Sequence, residues 1–150
     1  MTKYSNQNLQ THGESSLDFL RRNKDRGIIK VLSLHSSSDI ESNLSAYHTY
    51  LLESGIKGEQ IMEVDCKALS QTASADYYDL YQSILDTLAP NQTNYIFFKY
   101  IDYWEHSEKV INSLVLQENI DLYVVTTNND SLMELFTKAF PGNYVSYVAS

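Results

Sequence analysis

Apolar residues in this chain alternate between short continuous runs and longer stretches in which they recur every three or four positions. Five runs rich in branched and aromatic residues predict strands buried on both faces of a sheet; they lie at 27–34, 60–66, 94–100, 121–127 and 143–149. Helical spacing predicts helices at 15–25, 38–55, 75–88, 105–117 and 130–140. The helix at 38–55 has one apolar stripe and two terminal signals, with Ser38 or Asp39 as its N-cap and Gly55 as its stop.

Strands that alternate with amphipathic helices predict βαβ units, and therefore an α/β fold. We expect a three-layer sandwich, with a mainly parallel five-stranded sheet and helices on both faces. A single domain is predicted at 16–150, after a flexible polar arm at 1–15. Ligands of such sheets bind outside the carboxyl ends of the strands, so any chemistry is expected at that edge.

The composition is that of an ordinary globular domain, with 150 residues of which 43% are hydrophobic and 20% charged. No apolar run approaches a membrane span, and the polar start is unlike a secretory signal, so we expect a cytoplasmic protein. The single cysteine, Cys66, excludes an internal disulfide. We interpret it as a small apolar residue at a strand end rather than a reactive thiol.

The charge is unevenly distributed along the chain, whose net charge is -8. This acidic balance argues against a general nucleic-acid binder. Residues 1–30 hold six basic and three acidic side chains, whereas 31–150 hold five basic and sixteen acidic ones. The basic stretch at 21–30 is interpreted as a solvated helix end, with a small anion-contacting patch as the sharper alternative.

Several segments, in their order and spacing, resemble one family from about residue 17 onward. They are "IIKVLSLHSSSDIES", "YLLESGIKGEQIMEVD", "NYIFFKYIDYWEHSEKVINSL", "IDLYVVTTNNDSL" and "FPGNYVSY". The family is that of AAA-type P-loop ATPases of bacteria and archaea that carry a C-terminal domain of unknown function. The resemblance implies a P-loop-NTPase-like sandwich with strand order 5-1-4-3-2. It also implies that this chain stops where the family's lid and C-terminal domain would begin.

The positions that match the family's phosphate-binding loop have lost the residues that loop needs. A GxxxxGK[ST] loop uses glycines to wrap the phosphates, lysine to contact them and a hydroxyl to hold Mg²⁺. Here the glycines are replaced by Leu34 and Asp39, the lysine by Ile40 and the hydroxyl by Glu41. The two carboxylates are expected to repel phosphate from a helix N-terminus that otherwise attracts it.

The family's metal and base positions, at the end of the third predicted strand, are altered as well. The acidic pair that the resemblance places there is replaced by Lys99 and Tyr100. The family's arginine before the last strand corresponds to Asn143, and only Asn128, at the polar sensor position, matches. Since a lysine cannot bind Mg²⁺ and a phenol is a poor base near neutral pH, we predict that no catalytic residue remains.

Two further interpretations concern charged residues at the same edge. We hypothesise that Lys99 forms an ion pair with Glu41 or Asp39 across the vacated site, in place of a bound nucleotide. Asp65 and Asp102, at the ends of the second and third predicted strands, are interpreted as caps, with a carboxylate pair as the alternative.

Twelve tyrosines are the other prominent feature of the sequence. Tyrosine and tryptophan dominate protein-interface hot spots, so we predict a candidate protein-binding surface; its residues are Tyr77, Tyr78, Tyr81, Tyr103 and Trp104. The alternative is that these rings line the edges of amphipathic core elements and keep their hydroxyls in water.

The predicted function is a catalytically inactive ATPase-like domain that binds or regulates another protein, such as an intact relative. No cofactor or metal is expected, and neither membrane nor direct nucleic-acid contact. One alternative is a nucleotide-binding protein or ATPase with an atypical site for ATP and Mg²⁺. Another is an acidic inhibitor of a basic nucleic-acid-binding protein.

Overall fold

The computed structural model of this protein describes residues 14–26, 29–71, 77–103, 107–127 and 144–149. Its helices are α1 (Ser16–Arg22), α2 (Ser37–Glu53), α3 (Cys66–Leu69), α4 (Tyr77–Thr87) and α5 (Ser107–Leu114). Its strands are β1 (Ile29–Ser33), β2 (Ile61–Asp65), β3 (Asn94–Lys99), β4 (Ile120–Thr126) and β5 (Tyr144–Val148). The helix predicted at 130–140 lies outside the described residues.

All five strands form one parallel sheet in the order β2-β3-β4-β1-β5. This is the predicted order 5-1-4-3-2, read from the opposite edge, so the α/β class and the strand order are confirmed. Val31 of β1 lies between Val124 of β4 and Ser146 of β5. All five residues of β1 are buried, including Lys30, because strands flank it on both sides and helices cover both faces of the sheet.

Two apolar clusters cover the two faces of the sheet, as residues that alternate along β3 show. Ile96 and Phe98 belong to the cluster that includes Ile84 of α4 and residues of α5. Tyr95 and Phe97 belong to the cluster formed with α1 and α2. Since successive side chains of a strand point to opposite faces, helices pack on both sides of the sheet.

The structure corrects the predicted start of α2 and adds a helix. The N-cap is Ser36 rather than Ser38 or Asp39, because Ser36 has extended backbone and its Oγ accepts the backbone N–H of Asp39 at 3.1 Å. The strand predicted at 60–66 ends one residue early, since Cys66 begins the short helix α3. Cys66 is buried in the core, and burial raises the pKa of its thiol to about 12, which agrees with an inert apolar role.

A polar network that the sequence did not reveal lies near the amino ends of β1 and β4. Lys30 of β1 and Asp121 of β4 form a buried ion pair. The Asp121 carboxylate also accepts hydrogen bonds from the Tyr123 hydroxyl at 2.6 Å and the Asp25 backbone N–H at 2.9 Å. Tyr123 continues the network to the Tyr47 hydroxyl of α2, 2.7 Å away. The network links the sheet to α2 and to the loop that precedes β1.

Within the described ranges, no helix has the length and apolar character required to cross a membrane.

Candidate functional site

An ion-pair cluster occupies the carboxyl edge of the sheet, where β3 ends beside the first turn of α2. The Lys99 ammonium lies 3.0 and 3.1 Å from the two carboxylate oxygens of Glu41. It also lies 3.2 Å from Glu63 Oε1, on β2. The ion pair hypothesised between Lys99 and Glu41 is therefore present, and the single ammonium is shared by two carboxylates.

Glu63 is the member of this cluster that the sequence did not suggest. Asp65 pairs with Lys99 in the register of β2 and β3, so Glu63 is the diagonal neighbour of Lys99 on the same face. The strand order could have indicated Glu63, because it makes β2 the neighbour of β3. The acidic residues of the second predicted strand are thereby neighbours of the lysine.

Tyr100 completes the cluster from an unusual backbone conformation. Its hydroxyl donates to Glu41 Oε2 at 2.7 Å, and its backbone N–H donates to the Val125 carbonyl at 2.8 Å. Its φ of 59° lies in the left-handed region, which is uncommon for a bulky residue and has to be held by surrounding contacts. The ring is buried against the α2 face of the sheet, so Tyr100 acts as a fixed hydrogen-bond donor.

The electrostatics of the cluster favour charged Glu41 and Lys99 and a neutral phenol. Burial alone would raise the pKa of Glu41, but hydrogen bonds from Tyr100 and Lys99 outweigh it and leave that pKa below its usual value. Burial alone would lower the pKa of Lys99, but contacts with Glu41 and Glu63 outweigh it and raise that pKa. Burial and the hydrogen bond to Glu41 raise the pKa of Tyr100, so its hydroxyl stays protonated near neutral pH and is not a general base.

Two of the other positions that the resemblance aligns with a phosphate loop are apolar and buried. Leu34 and Ile40 are buried in the apolar cluster that packs α2 on the sheet. The backbone N–H of Asp39 donates to the Ser36 hydroxyl at 3.1 Å. Asn128 and Asn143, the other two positions taken from the resemblance, lie outside the described residues.

The two aspartates at the strand ends have separate structural partners. Asp65 Oδ1 accepts the backbone N–H groups of Lys67 and Ala68 at 3.0 and 3.1 Å, so Asp65 is the N-cap of α3, as predicted. Asp102 Oδ1 accepts the Thr126 hydroxyl at 2.5 Å. The structure therefore favours capping and tethering over a carboxylate pair.

The predicted tyrosine surface comes from two separate elements. Tyr78 on α4 is 58% exposed, and Tyr81 on the same helix accepts a hydrogen bond from Gln117 Nε2 at 2.9 Å. Tyr103 follows β3 and is 50% exposed, with the Lys67 ammonium 5.4 Å from its ring centroid. Trp104 and the side chain of Tyr77 lie outside the described residues. The binding role of this surface stays a prediction.

The basic stretch near α1 makes contacts within the protein. The Arg22 Nε lies 2.8 Å from a Glu14 carboxylate oxygen. The Arg21 guanidinium lies 5.0 Å from the centroid of the Tyr50 ring, a cation–π distance. These internal contacts favour the solvated helix end over an anion-contacting patch.

Comparison with known proteins finds a weak likeness. No protein-family model matches the chain. A protein of Haemophilus influenzae (strain ATCC 51907 / DSM 11121 / KW20 / Rd), described as an uncharacterized protein, is 27% identical to it over 133 residues. The match covers 88% of this chain and 33% of that relative, so the chain spans about a third of the relative's length. The likeness therefore indicates no function for this chain.

Proposed function

We propose that this chain is a catalytically inactive, P-loop-NTPase-like domain that acts by binding another protein. The observation that carries the proposal is the position of Lys99, whose ammonium contacts Glu41 and Glu63 at the ligand-binding edge of the sheet. An internal ion pair is present where a parallel α/β sheet ordinarily receives its ligand.

The topology supports the P-loop-like part of the proposal. The strand order 5-1-4-3-2 is the one that the resemblance implies, and α2 begins four residues after β1 ends. The N-terminus of α2 therefore occupies the place of a phosphate-binding helix. Its first turn carries Asp39 at a position that the resemblance aligns with a glycine, and Glu41 follows two residues later at the position of the metal-binding hydroxyl. Negative charge at these positions disfavours a bound phosphate.

The charge of the cluster supports the loss of catalysis. One ammonium faces two carboxylates, so the cluster of Lys99, Glu41 and Glu63 has a net charge of about -1 near neutral pH. A nucleoside triphosphate would have to displace Glu41 from both Lys99 and Tyr100 before its phosphates could contact the Lys99 ammonium. The exposed rings of Tyr78 and Tyr103 support binding to a protein instead.

The test is thermal unfolding of the purified protein with and without millimolar ATP or GTP and Mg²⁺. A site with a micromolar Kd would stabilise the protein by about 4 kcal/mol at a thousandfold excess. For a domain of this size that is a rise in midpoint of roughly 8–16 °C. We expect no nucleotide-dependent rise, and a rise that disappears when Mg²⁺ is removed would refute the proposal.

Two matched variants locate any nucleotide effect that does occur. Lys99→Met removes the internal cation, and Lys57→Met removes an exposed lysine outside the cluster. A nucleotide bound through atypical contacts at the carboxyl edge would lose its effect in the first variant alone. Equal effects in both variants would place the bound nucleotide away from Lys99 and would still count against the proposal.

A further inference from the structure

Within the part of the chain that the structure describes, the outer side of β2 forms an open edge of the sheet. Among the described residues, β2 pairs with β3 alone. All five residues of β1 are buried, whereas only Val64 is buried in β2. An edge strand presents a row of backbone N–H and C=O groups that another extended chain can pair with.

An apolar cavity of about 340 Å³ lies against this edge, between β2, α3 and α4. Its apolar lining comes from Met62 and Val64 of β2, Leu69 of α3, and Leu80 and Ile84 of α4. Cavities of this volume fall in the range of pockets that hold small ligands or side chains. A strand added to β2 would direct every second side chain to the cavity face, because strand side chains alternate.

The charge on β2 selects between the possible occupants of this edge. Glu63 shares its cation, Lys99, with Glu41, and the Asp65 carboxylate is held by two backbone N–H groups. A second copy of the chain, paired through the same edge by a two-fold axis, would bring these carboxylates towards their own copies. Like charges opposite each other destabilise strand pairing, so the charge favours a basic partner over self-association.

We propose that the edge of β2 and its cavity bind an extended segment of another protein in which apolar and basic residues alternate. The segment adds a strand to the sheet, its apolar side chains enter the cavity, and its basic side chains face Glu63. This inference rests on the proposed function in that it names the partner class of the binding module, but it uses a surface other than the predicted tyrosines.

The probe is the fluorescently labelled peptide acetyl-Lys-Val-Lys-Ile-Lys-Val-Lys-amide, titrated with the full chain and followed by anisotropy. We expect saturable binding, and none of the peptide in which glutamates replace the lysines. Ser83→Phe fills the cavity from an exposed position of α4, and Glu63→Lys reverses the charge on the strand. Each is expected to weaken binding about tenfold or more, as the loss of a hot-spot contact does.

Two matched variants control for general effects of size and charge. Thr87→Phe places the same ring at an exposed position of α4 outside the cavity lining, and Glu59→Lys makes the same charge change outside β2. Both are expected to leave the affinity within about twofold, and thermal unfolding of all four variants checks that they fold.

Three results would overturn the inference. They are absence of peptide binding, equal loss of affinity in Glu59→Lys and Glu63→Lys, and a dimer in solution that Ser83→Phe dissociates. The last result would assign the edge to a second copy of the chain. If the peptide does not bind and nucleotide does not raise the unfolding midpoint, this inference alone is overturned. A nucleotide-dependent rise in the midpoint would instead count against the proposed function.

Discussion

The buried ion pair of Lys30 and Asp121 gives the sharpest prediction about stability. Both side chains are almost fully buried, with relative exposures of 0% and 2%. The Asp121→Ala substitution leaves the Lys30 ammonium with only the Arg26 carbonyl as a described acceptor, and it leaves the Tyr123 hydroxyl without its carboxylate. Removing one partner of a buried pair costs about 3–5 kcal/mol. At about 2–4 °C per kcal/mol, the unfolding midpoint should fall by roughly 6–20 °C.

Replacing both Lys30 and Asp121 should lower the free energy of unfolding far less than replacing Asp121 alone. Burial lowers the pKa of Lys30 and raises the pKa of Asp121, so for each group the loss of hydration outweighs the attraction of its partner. The double variant Lys30→Met/Asp121→Leu is therefore expected within about 2 kcal/mol of the unsubstituted protein, on either side.

The assay is urea unfolding at neutral pH of the unsubstituted protein, Asp121→Ala, the single variants Lys30→Met and Asp121→Leu, and the double variant that combines these last two substitutions. The coupling energy between the two sites should exceed about 2 kcal/mol, since they are in direct contact. Two results together would contradict the buried, coupled contact. They are a loss of less than about 1 kcal/mol in free energy of unfolding for Asp121→Ala, and additive effects of Lys30→Met and Asp121→Leu.

Three further predictions concern the carboxyl edge. Because hydrogen bonds from Tyr100 and Lys99 lower the pKa of Glu41, its carboxylate stabilises the fold above the ordinary pKa of 4.5 and stops doing so as pH falls through the lower folded value. The difference in unfolding midpoint between Glu41→Gln and the unsubstituted protein should therefore hold from about pH 6 to 8 and shrink as pH falls below 4.5. Tyr100→Phe should lower the free energy of unfolding, measured in urea, by about 1–2 kcal/mol, because it removes the hydrogen bond to Glu41. Tyr103→Phe should leave that free energy almost unchanged, and equal losses in the two variants would contradict the hydrogen bond. Ser36→Ala should lower the free energy of unfolding by about 1 kcal/mol, because it removes the N-cap of α2. Ser42→Ala, inside α2, should lower it by less than about 0.5 kcal/mol. A larger loss for Ser42→Ala than for Ser36→Ala would show that Ser36 is not the cap.

The strands were predictable because a buried parallel strand is a continuous apolar run, as β3 is. Their order came only from the resemblance, since apolar runs do not say which strands are neighbours. The N-cap of α2 was missed because 36–38 is a run of three serines, any of which has the required hydroxyl. Lys30 was hidden within an apolar run, because the partner that permits its burial lies 91 residues away.

At the carboxyl edge, the sequence indicated the ion pair of Lys99 and Glu41 because the resemblance placed both residues around one site. Glu63 was missed because its role depends on strand register, which a pattern of apolar residues does not fix. The left-handed backbone of Tyr100 was equally hidden, since glycine is the usual sequence signal for that conformation.

Because β1 lies between β4 and β5 in the sheet, it cannot pair with either neighbour until late in synthesis on the ribosome. Val31 pairs with Val124 and Ser146, so both neighbours of the first strand are made long after it. At a synthesis rate of about 5–20 residues per second, roughly ten seconds separate Val31 from Ser146. During that interval the nascent chain carries an apolar strand with an unpaired lysine, and β2 and β3, which are neighbours in both chain order and space, are able to pair first.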